Sequence, residues 1–470
     1  MEPKPILVMK FGGTSVGSAD AMLKVKDIVE ESIADGWKPV VVLSAMAGVT
    51  DQLLQSTEMA KNHRFDLVLQ TAASLTTRHY DTLHQLISNP ERQFVVKQQI
   101  DQLISTFTEY CRAIDIIGEA TPRVLDAIGG IGEMLCVRIF AEVLNTHQIQ
   151  AQSVDATKII VTDAVFQSAH PDFEKTAQRL QQTLIPLLNS GVVPVVTGFI
   201  AATEDGVTTT LGRGGSDYTA AILGAGLNAQ EVWIWTDVDG VMTADPRVVP
   251  NAKTIERLTF REIGELAYYG AKVVHPKTMQ PLIDADIAIK VKNTFNPKHP
   301  GTVLISDQSR ITNGDIKAVT SIRGQSLITI EGRGMLGVPG VAARAFGAVA
   351  STGTSVPLIT QASSEQSICF AVPLKSISLV LKGLNDVFNR ELQTKDIDRI
   401  WATEEVVILT IVGSGMRNTP GVAGRIFSKL GSNGINVIAI AQGSSEVSIS
   451  LVIDRQDEEK AVRAIHELIV

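Results

Sequence analysis

Seven consecutive residues, Leu211-Gly212-Arg213-Gly214-Gly215-Ser216-Asp217, carry the densest chemical signal in this chain. They follow a β-like run from Gly206 to Leu211, rich in Val and Thr, and open a helix-like run from Tyr218 to Leu227, rich in Ala and Leu. Three glycines let backbone N–H groups approach an anion, and a helix start points its positive end at the same place. Arg213 adds a planar, two-pronged donor suited to carboxylate or phosphate. The pattern predicts a holder for a small anionic substrate. The plainer alternative is a strand-to-helix turn in which Ser216 or Asp217 caps the helix.

A second loop, Lys10-Phe11-Gly12-Gly13-Thr14-Ser15, follows a short apolar run and precedes an amphipathic stretch, Asp20–Ala34. Its lysine precedes the glycines, so it is not a Walker A loop. Glycine N–H groups, a helix start and an ammonium still compose a phosphate cradle. Glu133 follows Gly129-Gly130-Ile131-Gly132 and starts a helix that carries Arg138. It reads either as a carboxylate favoured by the helix dipole or as the receiver of a substrate ammonium. Trp235-Thr236-Asp237-Val238-Asp239-Gly240 ends another β-like run, with Thr243-Ala244-Asp245-Pro246-Arg247 behind it. Ligands of open α/β sheets sit at such strand ends. Gly270-Ala271-Lys272 places another lysine at a glycine corner, and His275 before Pro276 reads as a structural group.

The elements that must position these residues are legible as alternation. Ile6–Met9, Pro39–Ser44, Val192–Ile200, Val232–Thr236 and Ile287–Val291 are apolar runs that read as buried strands, interleaved with amphipathic stretches such as Asp20–Ala34 and Arg261–Tyr269. The fold class is therefore α/β, with a mostly parallel sheet covered by helices on both faces. The segment from Asp51 to Ala120 is polar and helical throughout and reads as a helical insertion, a lid or substrate-side wall.

The chain has 470 residues, 44% of them hydrophobic, enough for two to four domains with real cores. A formal charge of −8 without long like-charge blocks argues against a nucleic-acid surface. Cys111, Cys136 and Cys369 are isolated, and no His/Cys cluster has ligand spacing, so neither a disulfide framework nor a protein-ligated metal is expected. The N-terminal apolar run is too short for a signal or a membrane span, which makes the cytoplasm the default and a membrane partner unexpected.

Turn signals cluster at Asn296–Gly301, and beyond them the chain repeats itself. Thr329-Ile330 aligns with Thr410-Ile411, and Met335 with Met416. Pro339–Ala342 aligns with Pro420–Ala423, and Gln361–Glu365 with Gln442–Glu446, always at one offset (410 − 329 = 81). About half the positions from 329 to 370 are identical by direct comparison. Two copies of one small β-α-β-β-α module follow, each with an apolar strand, a glycine turn and a Pro-Gly helix start.

Taken in order, KFGGTS, VLSAMAGVTD, GGIGE, VVTGFI, TTLGRGGSDYTAA, WTDVDGVMTADPR and GAKVVHPKT resemble the aspartate kinases of the amino-acid kinase superfamily, and the tandem modules resemble their paired ACT domains. The resemblance spans the chain. It implies an amino-acid kinase domain over residues 1–305, then ferredoxin-like βαββαβ ACT modules over 315–395 and 396–470, with strands possibly exchanged between them. It also implies transfer of the ATP γ-phosphoryl group to the β-carboxylate of L-aspartate, with Mg²⁺, early in lysine, threonine and methionine biosynthesis. A carboxylate nucleophile, with a pKa near ~4, is ionised at neutral pH and needs no general base. Catalysis then reduces to positioning and charge neutralisation, which fits a site of Lys, Arg and Gly.

By motif match, Lys10 stabilises the transferring phosphoryl group, and Gly12 and Gly13 give backbone donors on the ATP side. Arg213 clamps a substrate carboxylate, helped by Thr50, Ser216 and Phe199, while Glu133 meets the α-ammonium. Asp217 orients Lys10 or a water on Mg²⁺. Thr236, Asp237, Arg247 and Lys272 match the nucleotide side. Met242 stands where relatives often have Tyr, and Asp51 where Asn is common.

The ACT pair implies an amino-acid effector and at least a dimer, a homodimer or homotetramer. Lysine-inhibited relatives tend to carry an Asp at the position of Pro357, whereas Gln361 and Gln442, with Met335, offer neutral groups suited to a hydroxyl side chain. Threonine is the favoured effector, although both Gln side chains could instead cap strands. A lysine-inhibited enzyme, a sister kinase for glutamate or N-acetylglutamate, and a catalytically decayed amino-acid sensor are the competing readings. No dinucleotide-binding fingerprint occurs, so a fused homoserine dehydrogenase is not expected.

Overall fold

The structure, a computed structural model, describes residues 4–270, 276–306, 316–361, 366–416, 419–443 and 446–469. It divides into two compact units. The first takes in the described parts of residues 1–241, 256–260 and 274–306, and the second those of 242–255, 261–273 and 307–470. Segments 242–255 and 261–273, which the sequence reading assigns to the kinase domain, thus pack with the C-terminal modules.

In the first unit the chain runs β1 (Ile6–Phe11), α1 (Ala19–Ala34), β2 (Lys38–Leu43), α2 (Val49–Lys61), α3 (Phe65–Leu86), α4 (Pro90–Ile117), α5 (Pro122–Gly129) and α6 (Ile131–Thr146). It continues through β3 (Ala151–Val154), β4 (Val161–Thr162), α7 (Phe173–Asn189), β5 (Val193–Thr197), β6 (Ile200–Thr203), β7 (Thr208–Thr210), α8 (Gly215–Gly226) and β8 (Glu231–Thr236). After an excursion come β9 (Arg257–Thr259), α9 (Phe260–Tyr268), α10 (Pro276–Asp284), β10 (Ala288–Asn293) and β11 (Thr302–Ile305). An eight-stranded sheet has the order β3-β5-β2-β1-β8-β10-β11-β9. All its pairings are parallel except β10 with β11. Leu7, Val8 and Met9 are fully buried although alternate side chains of a strand point to opposite faces. Helices therefore cover the sheet on both sides, which is why these strands read as unbroken apolar runs.

The polar segment beginning at Asp51 is helical, as its pattern suggests, but it is more than a wall. Val68, Leu75 and Leu83 of α3, with Ile100, Ile104 and Phe107 of α4, are buried in the same core as Met9 and Leu43. One strand expectation needs correction. The run Val192–Ile200 forms two strands, β5 in the main sheet and β6 in a three-stranded sheet with β4 and β7. Phe199 adopts a left-handed φ of 68°, and the Ile200 N–H donates to the Gly198 carbonyl at 2.7 Å. That tight reversal turns the chain out of the main sheet at the strand end where a ligand would sit.

The second unit contains α9 from Arg261 onward, then β12 (Ala318–Glu331), α11 (Val341–Ser351), β13 (Ile359–Gln361), β14 (Ser367–Pro373), α12 (Ile377–Val387), α13 (Asn389–Thr394) and β15 (Arg399–Ala402). The second module supplies β16 (Val406–Val412), α14 (Val422–Ser432), β17 (Val437–Gln442), β18 (Ser448–Asp454) and α15 (Glu458–His466). The sequence repeat survives in three dimensions: α11 and α14 begin 81 residues apart (422 − 341), as do β14 and β18 (448 − 367). β12 is far longer than its apolar run, Leu327–Ile330. Its first half pairs antiparallel with β16 and its second with β14 and β15. The register shifts between Ile322 and Gln325, where Gly324 takes φ +68°. Glycine tolerates that conformation, so one strand serves both modules.

Candidate active site

Three helices of the first unit start at one place without a side-chain cap. α2 has Gly48 at its N-cap, α6 has Gly130 and α8 has Gly214, and none of the three makes a side-chain capping bond. Part of their first turns is used within the chain, as where the Val49 N–H donates to the Met46 carbonyl at 3.0 Å and the Gly215 N–H to the Gly212 carbonyl at 2.9 Å, and what remains of the helix starts keeps its positive dipole end for a ligand. Ser216 and Asp217 are therefore first-turn residues of α8, which begins three residues before the apolar run, and neither caps it. Gly48 and Gly214 sit at left-handed φ of 80° and 74°.

These starts open on a cavity of about 430 Å³ lined by Lys10, Gly13, Ser44–Gly48, Thr50, Asp51, Glu133, Phe199 and Gly212–Asp217. Lys10 comes from the end of β1, the central strand. Its Nζ lies 2.7 Å from Asp217 Oδ1, with both side chains largely buried. Arg213 is exposed and has no partner among the described residues, so its guanidinium is available at the rim.

Glu133 is only 3% exposed, and its Oε2 is buried with no hydrogen-bond partner among the described residues. Burial pushes its carboxyl up to about 8, partly opposed by N–H groups of Ala45 and of Glu133 itself. A carboxylate facing a cavity in this state lacks a cation. The same cavity also carries the opposite charges, Lys10 and Arg213. The arrangement suits a small molecule with an ammonium at one end and carboxylates at the other.

Of the residues singled out from sequence, Lys10, Gly13, Thr50, Glu133, Phe199, Arg213, Ser216 and Asp217 line this one cavity. Gly12 lies beside it: a Cβ there would sit 3.6 Å from Lys10 Nζ, and its N–H donates to the Trp235 carbonyl at 3.3 Å. Thr236 and Asp237 stand at the end of β8, the neighbour of β1, joined to each other at 3.3 Å but outside the lining. Arg247 belongs to the second unit, where it forms a two-pronged pair with Asp245. Lys272 lies outside the described residues. Met335 is buried in the first module, and Gln361 and Gln442 end the edge strands β13 and β17 with exposed side chains.

Two contributors escaped the sequence reading. Ser44–Ala47, seen only as a motif, supplies both cavity wall and the Ala45 N–H held by Glu133. Asp126 is 2% exposed and accepts from the Thr210 N–H and hydroxyl and from the Gln167 N–H, fixing the strand that leads into Leu211. An isolated Asp in a helix gives no signal of such a role.

The amino acid kinase family profile matches residues 5–293. This chain belongs to the amino acid kinase family. Behind that domain an ACT domain is matched twice, over residues 328–388 and 409–468. Bifunctional aspartokinase/homoserine dehydrogenase 2 of Arabidopsis thaliana is 36% identical over 98% of this chain and 50% of its own length. The chain spans about half the length of the first such curated relatives it matches. Among solved structures, E. coli aspartokinase III in complex with lysine and aspartate (T-state) is 32% identical, with a TM-score of 0.80 over 99% of this chain and 100% of that one. The same enzyme with aspartate and ADP (R-state) is 31% identical, with a TM-score of 0.81 over 99% of each chain. These relatives and neighbours of the amino acid kinase family are aspartokinases, which are enzymes. Among the described residues no helix is long and apolar enough to cross a membrane.

Proposed function

We propose that this chain transfers the γ-phosphoryl group of ATP to the β-carboxylate of L-aspartate, giving 4-phospho-L-aspartate. The observation that carries the reading is the buried, unpartnered Glu133 Oε2 in the same cavity as Lys10 and Arg213. Glu133 receives the α-ammonium. Arg213, Thr50, Ser216 and the Phe199 turn hold the carboxylates. Lys10, with the Gly12 and Gly13 amides, neutralises charge on the transferring group, and Asp217 holds Lys10 in place. That E. coli aspartokinase III binds aspartate and ADP supports the same pairing of substrates here.

Among the described residues no group of three or more His, Cys, Asp or Glu could hold a metal alone. Mg²⁺ in phosphoryl-transfer sites needs only one or two carboxylates, the rest coming from phosphates and water, and Asp217 beside Lys10 fits that requirement. The ion would supply charge neutralisation on the phosphates. Thr236, Asp237, Arg247 and Lys272 belong to the nucleotide side in this reading. The kinase domain is assigned residues 1–305, of which 242–255 and 261–273 pack with the C-terminal modules, and the ACT modules 315–395 and 396–470, in a cytoplasmic homodimer or homotetramer.

Threonine is the proposed feedback effector, with Gln361, Gln442 and Met335 assigned to its site. Lysine is the second reading, favoured by its presence in the E. coli T-state complex. Trapping of an acyl phosphate by hydroxylamine, with ATP and aspartate, glutamate or N-acetylglutamate in turn, tests the reaction. Product with aspartate alone is expected, and no product with aspartate overturns the reading. Inhibition curves with threonine, lysine and both together, repeated on Gln442→Ala, separate the effectors.

A further inference from the structure

Two loops build the wall of the cavity, and one side chain outside it spans both. The loop after β1, Gly12–Gly17, and the loop after β2, Ser44–Gly48, rest directly on each other. The Ala47 N–H donates to the Gly13 carbonyl at 3.1 Å, and a Cβ on Gly13 would lie 2.9 Å from the Ala45 carbonyl. Arg78, in the middle of α3, donates from Nη1 to the Ala47 carbonyl at 2.9 Å and from Nη2 to the Gly17 carbonyl at 3.3 Å. Arg78 does not line the substrate cavity. It lines a separate open groove of about 490 Å³, with Gly17, Ser18, Asp81 and Gln85.

We propose that Arg78 is a positioning residue for phosphoryl transfer, a clamp that fixes the spacing of these two loops from behind. This rests on the reaction proposed above. The first loop carries Gly13 and continues from Lys10, the phosphoryl side. The second carries Ala45, whose N–H holds Glu133, and leads into Thr50, the amino-acid side. The distance between nucleophile and phosphoryl group is therefore set by how the loops sit against each other. A planar guanidinium can hold two carbonyls at fixed separation with two different nitrogens, whereas an ammonium is a single donor centre. Small displacements of reacting groups cost large factors in rate. The helical segment α2–α4 thereby acquires a catalytic purpose besides its share of the core.

The test uses the full chain with Arg78→Ala and Arg78→Lys. Hydrogen exchange should quicken in both loops of Arg78→Ala together, with α4 and the C-terminal unit unchanged. With aspartate and ATP, kcat/KM for aspartate should fall roughly ten- to a hundredfold, with KM for ATP within about twofold and the melting temperature nearly unchanged. Because the groove is open, millimolar guanidinium should restore part of the lost rate in Arg78→Ala, a rescue that a merely structural loss would not show. Wild-type exchange in both loops, or unchanged kinetics with aspartate, overturns the clamp. Loosened loops in a chain whose wild type never phosphorylates aspartate would instead leave the clamp standing and remove the proposed reaction. If Arg78→Ala fails to fold, Arg78→Lys decides: a folded variant with one loop loosened supports the clamp, and two loops at wild-type rates refute it.

Discussion

Lys10 at the end of β1 and Asp217 in the first turn of α8 meet at 2.7 Å, joining the central strand to the glycine-rich turn. The carboxylate holds the ammonium at the cavity, and an ammonium has three N–H donors, so the lysine keeps donor capacity for an incoming phosphate. Asp217 would repel phosphates on its own, and the pairing removes that objection. Lys10→Ala should lower kcat at least about a hundredfold with the fold intact, the scale of losing one preorganised donor to developing charge. Asp217→Asn should lose less, on the order of tenfold. Steady-state turnover beside a thermal melt checks both, and a Lys10→Ala enzyme of normal activity would falsify the assigned role.

The pH response belongs to Glu133. Burial raises its carboxyl from the ordinary range to about 8. Between that value and the unfolded one, the folded chain binds the extra proton, so its stability without substrate falls as pH rises through this window. Aspartate bound as proposed would bring an ammonium and select the ionised form. KM for aspartate should therefore drop as pH climbs from about 6 to about 8, by at most roughly tenfold per unit, and then level off. Glu133→Gln should abolish the slope and most of the affinity. A KM flat across that interval in the wild type would disprove the pairing.

Gly198 carries a tighter constraint than its place in an apolar run suggests. A Cβ there would stand 2.6 Å from both Cβ and Oγ of Ser216 and 3.0 Å from the Leu43 carbonyl. The end of β5, the end of β2 and the first turn of α8 pass too close for any side chain. Gly198→Ala should cost about 1–3 kcal/mol of stability through overpacking and displace Ser216. Urea unfolding and KM for aspartate are the measurements. An alanine variant matching wild type in both would mean that the strand ends separate easily.

What the sequence could reveal follows from the range of the forces involved. Strands covered on both faces announce themselves as apolar runs, and the cavity residues sit in glycine-rich turns whose composition betrays close backbone approach. The composition places the start of α8 at Tyr218, whereas the helix begins at Gly215, because Gly, Ser and Asp are poor helix formers and give no helical signal in its first turn. The split of Val192–Ile200 depends on a left-handed Phe199, which no apolar pattern encodes. Arg78 was invisible for a similar reason: its partners are carbonyls 31 and 61 residues away, and carbonyls carry no sequence identity.

Glu262 is the polar anchor of the second unit. It is fully buried in α9, accepts the Ser414 N–H at 2.7 Å through Oε1, and pairs with Lys317 at 3.0 Å through Oε2. One turn on, the Ser448 hydroxyl donates to Glu265 at 2.7 Å, and the Thr320 hydroxyl to the Tyr269 carbonyl at 3.1 Å. A helix that the sequence reading placed in the kinase domain is thus bolted to the second module, at the turn that begins with Ser414 and reaches the buried Met416. Removing the carboxylate takes away the acceptor of the Ser414 N–H and a buried counter-charge of Lys317. Glu262→Ala should then cost about 3 kcal/mol, the low end for a broken buried pair. Glu262→Gln, which still accepts from Ser414, should cost less than half as much. In urea unfolding of the full chain, followed by hydrogen exchange in β16 and β18, the alanine variant should open first in this unit. Unfolding at the wild-type urea concentration would show that apolar packing of α9 through Ile263 and Leu266 holds it without the carboxylate.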